Sequence, residues 1–191
     1  MNIARIARIA ALAATITLAA APFARAVDFT VDTTNAPTWR RPFEDLSRLS
    51  TVGVNVPYVT TPFFVDTADT YTFFSTTVNN GEWDNFTFLY ANNFDPTNQL
   101  TNVLIGNDDN PDSGNSGFNF ALAPNTQYFF VTTGFTGSER GIAENSIVPT
   151  VTSGVVTFGS PVVVPETSAL WLAFAGLPVA VAVVRRRSAK K

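Results

Sequence analysis

Between residues 50 and 162, apolar side chains recur at every second position in short runs, and no window sustains the three-to-four residue spacing of a helix. Val52, Val54 and Val56 alternate with Thr51, Gly53 and Asn55, and Tyr71 and Phe73 alternate with Thr70 and Thr72. Phe86, Phe88 and Tyr90 share one face of a further run. Phe63 to Val65, Leu100 to Ile105, Phe118 to Leu122, Tyr128 to Thr133, Ser146 to Val151 and Val155 to Val162 continue the series. Aromatic and β-branched residues fill these runs because they pack well on a pleated surface. Gly, Pro, Asn and Asp bound them, and Asn79-Asn80-Gly81 is a turn signal in which Asn and Gly accept positive φ cheaply. The pattern predicts eight or nine short strands in one antiparallel β-sandwich, jelly-roll-like, with Phe43 to Leu49 as its single helical candidate. The runs are too short for an outer-membrane barrel, whose strands need about 9–11 residues with an aliphatic lipid face.

Composition removes much chemistry. The 191 residues contain no Cys and no His. Disulfides, thiolate zinc, thiol catalysis and the usual general base are therefore absent. The only lysines are Lys190 and Lys191, which leaves no Schiff-base chemistry in the strand-rich region. A Ser nucleophile has no His to activate it. The chain reads as a non-enzyme. A carboxylate-based hydrolase is the weakest alternative, because with so many acids some pair would satisfy its spacing by chance.

The charges are segregated. Residues 27–165 carry four arginines (Arg40, Arg41, Arg48, Arg140) against fourteen acids, a formal charge of −10, which opposes nucleic-acid binding. Arg5 and Arg8 precede an uncharged run, Ile9 to Ala21, that ends in Pro22-Phe23-Ala24-Arg25-Ala26. At about 1.5 Å per residue this run spans roughly 20 Å, too short to cross a bilayer. The cationic start, apolar centre and small residues identify residues 1–26 as a signal peptide cleaved between Ala26 and Val27. Thr167 to Val184 is again uncharged, about 27 Å as a helix, and Arg185, Arg186 and Arg187 follow it. This reads as a transmembrane helix with its tail held inside by the positive cluster.

Val164-Pro165-Glu166-Thr167, the short apolar span and the terminal Arg cluster together resemble the PEP-CTERM sorting signal of Gram-negative bacteria. Pro165 and Glu166 match the first two motif positions, and Thr167 stands where the motif has its second Pro. The resemblance implies three parts: a signal peptide (1–26), a β-sandwich domain (27–163) and a sorting signal (164–191). It implies recognition by an exosortase-type processing enzyme, a membrane-anchored precursor, and delivery to the cell surface or an exopolysaccharide matrix. No Leu-Pro-x-Thr-Gly motif of sortase substrates precedes the span. Tyr71-Thr-Phe-Phe, Trp83-Asp84-Asn85-Phe86-Thr-Phe-Leu-Tyr90, Phe94-Asp-Pro96, Asn107-Asp108-Asp109, Phe118-x-Phe120-x-Leu122 and Gln127-Tyr128-Phe-Phe-Val131 resemble bacterial PPC-like domains. These are secreted β-sandwich modules appended to extracellular proteins, which implies the same fold and a non-catalytic role over residues 50–158.

The densest polar stretch is Asn107 to Gly117. Oxygen ligands favour hard cations, so calcium is the candidate metal, with Asp108, Asp109, Asn110 and Asp112 as ligands and Asp84 and Asp95 as candidates to join them. The spacing does not follow the EF-hand pattern, and the same residues also suit a plain solvated loop. Trp39, Trp83 and Tyr90 are candidate platforms for sugar rings, with burial in the core as the alternative. Two functions remain: an exported surface or matrix protein, and a calcium-dependent glycan-binding module.

Overall fold

The structure, a computed structural model, describes residues 25–78, 83–150 and 154–161. The signal peptide up to Ala24, the Asn79-Asn80-Gly81 turn, the sorting motif, the expected transmembrane helix and the Arg185 cluster lie outside the described residues. Within them the chain is all-β and contains no helix. Ten strands run in order: β1 (Val27–Asp32), β2 (Thr38–Trp39), β3 (Val56–Val65), β4 (Asp69–Thr77), β5 (Asn85–Ala91), β6 (Val103–Asn107), β7 (Asn115–Leu122), β8 (Tyr128–Gly134), β9 (Ile142–Pro149) and β10 (Val156–Phe158).

Every strand pairing is antiparallel, and the strands form two sheets. One has the order β1-β9-β4-β7; the other has β10-β3-β8-β5-β6, with β2 added against β3. From β3 onward the chain changes sheet at every connection except β5 to β6. Each change of sheet places a strand's apolar face against a strand from the opposite layer. Tyr71, Phe73, Phe118 and Ile147 from the four-stranded sheet meet Phe63, Val65, Leu89 and Phe130 from the other in one buried cluster. Phe73 is ringed by Phe118 at 5.0 Å, Phe130 at 5.4 Å and Phe63 at 5.9 Å between centroids.

A second core lies on the other face of β5. Phe86, Phe88 and Tyr90 pack there with Trp39, Val56 and Val131, under residues drawn from the connections, Leu46 and Phe94 among them. Hence β5 is buried on both faces, and its sequence NFTFLYA has no solvent side. The cover includes Arg41, 1% exposed, with its guanidinium 4.1 Å from the Phe86 ring centroid and 4.9 Å from that of Phe135. Arg41 donates through Nε to the Phe135 carbonyl (3.1 Å) and through Nη1 to that of Pro42 (3.1 Å).

Toward the end of the sandwich where β5 begins, the space between the sheets turns polar. Asn85 Nδ2 donates to Ser75 Oγ (2.8 Å), Thr132 Oγ1 donates to Asn145 Oδ1 (3.3 Å), and the Thr87 and Ser116 hydroxyls share a 2.5 Å hydrogen bond. Each bond joins one sheet to the other. Asn85 Oδ1 and Asn145 Nδ2 remain without a partner in this layer.

Two sequence expectations are corrected. Residues 51–55 form bends instead of a strand, Val52 and Val54 are 50% and 42% exposed, and the strand starts at Val56 after Asn55 takes a left-handed φ of 53°. Phe43 to Leu49 is a turn closed by a Pro42–Leu49 bridge. Strand β1, unremarked in the sequence, alternates Val27, Phe29 and Val31 toward the core with Asp28, Thr30 and Asp32 outside.

Candidate functional site

The polar end of the sandwich carries the densest group of acids. Thr87 on β5 pairs with Asn107 on β6, so the residue before β5 and the residues after β6 leave the sheet side by side. Asp84, Asp108 and Asp109 each offer a carboxylate oxygen there, all within 4.8 Å of one another. Backbone bonds hold the strut on each side. The Asp84 N–H donates to Glu139 Oε2 (2.9 Å), and the Phe135 N–H donates to the Asp84 carbonyl (2.9 Å). Asn107 Oδ1 accepts from the Gly117 N–H (2.9 Å), and its carbonyl accepts from Ser116 Oγ (2.8 Å).

The loop that follows satisfies itself without the acids. Asn110 donates through its backbone N–H to the Asn115 carbonyl (2.8 Å) and through Nδ2 to that of Gly117 (2.9 Å). The Asn115 N–H donates to the Asp112 carbonyl (3.0 Å), and Gly114 turns the chain at φ 84°. This geometry leaves Asp84 Oδ1 and Asp108 Oδ1 buried without a hydrogen-bond partner. Burial pushes the Asp108 carboxyl up to about 7, repulsion from Asp84 and Asp109 adds to this, and Arg41 opposes it. Arg41 is in turn pulled below its ordinary value by burial, against the attraction of Asp108, Asp84 and Glu44. Arg41, Phe43, Glu44, Val52, Phe86, Asp108 and Phe135 line a cavity of about 150 Å³. Among the described residues no carboxylate closes an ion pair with Arg41.

Three neighbouring carboxylates, two of them with a buried oxygen, could supply part of the donor set of a hard cation. Calcium–oxygen distances of about 2.3–2.6 Å allow ligand oxygens on opposite sides of the ion to stand about 5 Å apart, which the 4.8 Å spread satisfies. Of the residues singled out by sequence, Asp108 and Asp109 come together and Asp84 joins them. Asp112 is exposed and outside the group, and the Asn110 side chain is anchored by the bond from its Nδ2 to the Gly117 carbonyl, a bond that leaves the ligating atom, Oδ1, unused. Asp95 is also outside, with Oδ1 taken by the Thr97 N–H and hydroxyl. The strand register that links Asp84 to Asp108 is the signal sequence reading lacked.

The three aromatic platform candidates are interior. Trp39 is 4% exposed and donates to Thr133 Oγ1 (3.0 Å), while Tyr90 is fully buried and donates to the Gln99 carbonyl (2.7 Å). Trp83, 6% exposed, donates to the Ile142 carbonyl (3.4 Å). In comparison with known proteins, no family model matches the chain, and no curated protein matches it.

Proposed function

We propose that this chain is an exported, non-catalytic protein of the cell surface or exopolysaccharide matrix, made as a precursor with a removable segment at each end. Residues 1–26 direct export, residues 27–163 form a jelly-roll-like sandwich, and residues 164–191 anchor the precursor for an exosortase-type enzyme acting at Pro165-Glu166. The supporting observation is where the strands lie. β1 begins at Val27, directly after the expected cleavage position, and β10 ends at Phe158, before the sorting motif. Among the described residues, the two sheets are built from strands between Val27 and Phe158. Cell fractionation tests the reading. The full chain belongs in the membrane or surface fraction, and a chain ended before Pro165 belongs in the medium. Equal partition of both forms overturns it.

A second reading, calcium binding, is favoured by the buried, unpartnered Asp84 and Asp108 oxygens beside Asp109. The ion would bridge the start of β5 and the end of β6, and its neutral counterpart in the calcium-free protein is the proton on Asp108. This role is structural: the ion would stiffen one end of the sandwich. It does not depend on Trp39, Trp83 or Tyr90.

A further inference from the structure

The outer face of the four-stranded sheet carries a groove unrelated to the acid cluster. The registers Asp28↔Ser146, Phe74↔Ser146 and Phe74↔Gly117 set Asp28, Ser146, Phe74 and Gly117 in one row across β1, β9, β4 and β7. The registers Thr30↔Glu144 and Thr76↔Glu144 set Thr30, Glu144 and Thr76 in the next row. Side chains on one face of a strand stand about 7 Å apart along it, and neighbouring strands about 4.8 Å apart. The two rows therefore frame a trough about 10 Å wide from Asp28 to Phe74. An open groove of about 450 Å³ lies there, lined by these side chains of β1, β9 and β4. Gly117 matters to its shape: a Cβ at that position would stand 3.3 Å from Phe74 Cδ2 and 2.6 Å from the Phe73 carbonyl oxygen.

The lining selects the chemistry of the occupant. Phe74 is partly exposed, whereas Phe73, its neighbour on the other face, is 1% exposed in the core. Around that ring stand two carboxylates, Asp28 and Glu144, and three hydroxyls, Thr30, Thr76 and Ser146. Among the described residues no cationic side chain lines the groove, so phosphate, sulfate and uronate groups would meet only negative charge there. An apolar peptide would find one ring and would leave the carboxylates desolvated against nothing. A neutral sugar chain meets both halves of the surface, with C–H faces for the ring and hydroxyl donors for the carboxylates. The volume lies within the range of small-ligand clefts, about 300–1,000 Å³, and such clefts combine an apolar platform with a few placed polar groups.

We infer that the Asp28–Phe74–Glu144 groove binds a neutral polysaccharide, with Phe74 as the stacking platform and Asp28 and Glu144 as acceptors for sugar hydroxyls. This deepens the matrix reading and rests on it only for where such a polymer would be met. The binding itself is a property of the folded sheet. The test is affinity electrophoresis of the full chain, kept in mild detergent, through gels holding hydroxyethylcellulose, galactomannan, dextran or alginate. At least one neutral polymer should retard the protein, and alginate should not. Phe74→Ala should weaken that retardation about tenfold, the loss expected for a central aromatic anchor. Glu144→Gln, which keeps side-chain shape, should weaken it as well, with unchanged circular dichroism in both variants. Leu100→Ala, an exposed side chain at 40% in the connection between β5 and β6, should bind as the unmodified chain does. Retardation by no neutral polymer overturns the inference, as does binding that survives both substitutions or is strongest for alginate. Because the assay uses purified protein, either result leaves the export reading to its own fractionation test.

Discussion

Replacing Asp108 by Asn should stabilise the calcium-free protein, the reverse of what a polar substitution at a partly buried site ordinarily does. The Asp108 carboxyl sits at about 7 against 3.8 for a free Asp, because burial and the neighbouring Asp84 and Asp109 all disfavour its charge. One unit corresponds to about 1.4 kcal/mol, so a group wholly shut from water would lose about 4 kcal/mol on ionising. Asp108 is only partly buried, and solvent screening lowers this to about 1–2 kcal/mol. At pH 8 without calcium, Asp108→Asn should therefore melt about 3–8 °C above the unmodified protein. Calcium should reverse the order. Free ion at about 100 times its dissociation constant adds about 2.7 kcal/mol to a protein that binds it only when folded, and Asp108→Asn should gain almost none of this. Differential scanning calorimetry with EDTA and with 10 mM calcium, a concentration suited to the weak sites of extracellular modules, measures both effects. The reasoning is refuted if the variant melts at or below the unmodified protein in EDTA, or if calcium raises the two equally.

The same carboxyl sets a pH dependence. A folded-state pKa raised above 3.8 means that the folded protein holds a proton the unfolded chain has released, so the contribution is present below about 3.8 and lost as pH rises through about 7. The calcium-free melting temperature should fall between pH 5 and pH 8, and the slope should flatten in Asp108→Asn. Asp32, Asp45 and Asp95, held below 3.8 mainly by hydrogen bonds from Thr34, Ser47 and Thr97, act only at more acid pH and leave that window clear. Arg41→Met should cost about 2–4 kcal/mol in urea unfolding, through lost stacking on Phe86 and Phe135 and two lost carbonyl bonds, yet should tighten calcium binding by removing a positive neighbour. Weaker calcium binding in that variant would contradict the placement of Arg41. Phe73→Ala should cost about 3–5 kcal/mol, and a cost under about 1 kcal/mol would mean that the two sheets do not share the Phe63–Phe73–Phe130 core.

The strands that packing makes most regular were legible as sequence. Tyr71 and Phe73, Phe118 and Leu122, and Phe130 and Val131 sit in strands because alternation and β-branched neighbours leave a pleated surface as their way to bury. Alternation could not say which face of β5 meets the other sheet. Phe86, Phe88 and Tyr90 look like the inter-sheet side, yet they pack beneath Trp39 and the connections, while Asn85, Thr87 and Leu89 face the opposite sheet. The polar residues Asn85 and Thr87 mark a face that sequence reads as solvent-facing, whereas it lies in the polar layer between the sheets. Thr51 to Asn55 shows the converse, a clean alternation without a ladder, ended by a left-handed Asn. At the acid cluster, Asp108 and Asp109 were readable as neighbours, whereas Asp84 joins them only through the Thr87–Asn107 register, which local sequence does not encode. The groove around Phe74 escaped for the same reason, since its residues come from three strands distant in sequence.

In the proposed export route the strand-rich centre is what is delivered and the two uncharged segments are what deliver it. Intact-mass spectrometry of the protein recovered from the surface or medium of its own cells measures this directly. The predicted mass is that of a chain beginning at Val27 and ending near Pro165-Glu166, without the segment from Thr167 to Lys191. A surface protein with the mass of the whole chain, Met1 to Lys191, would contradict it.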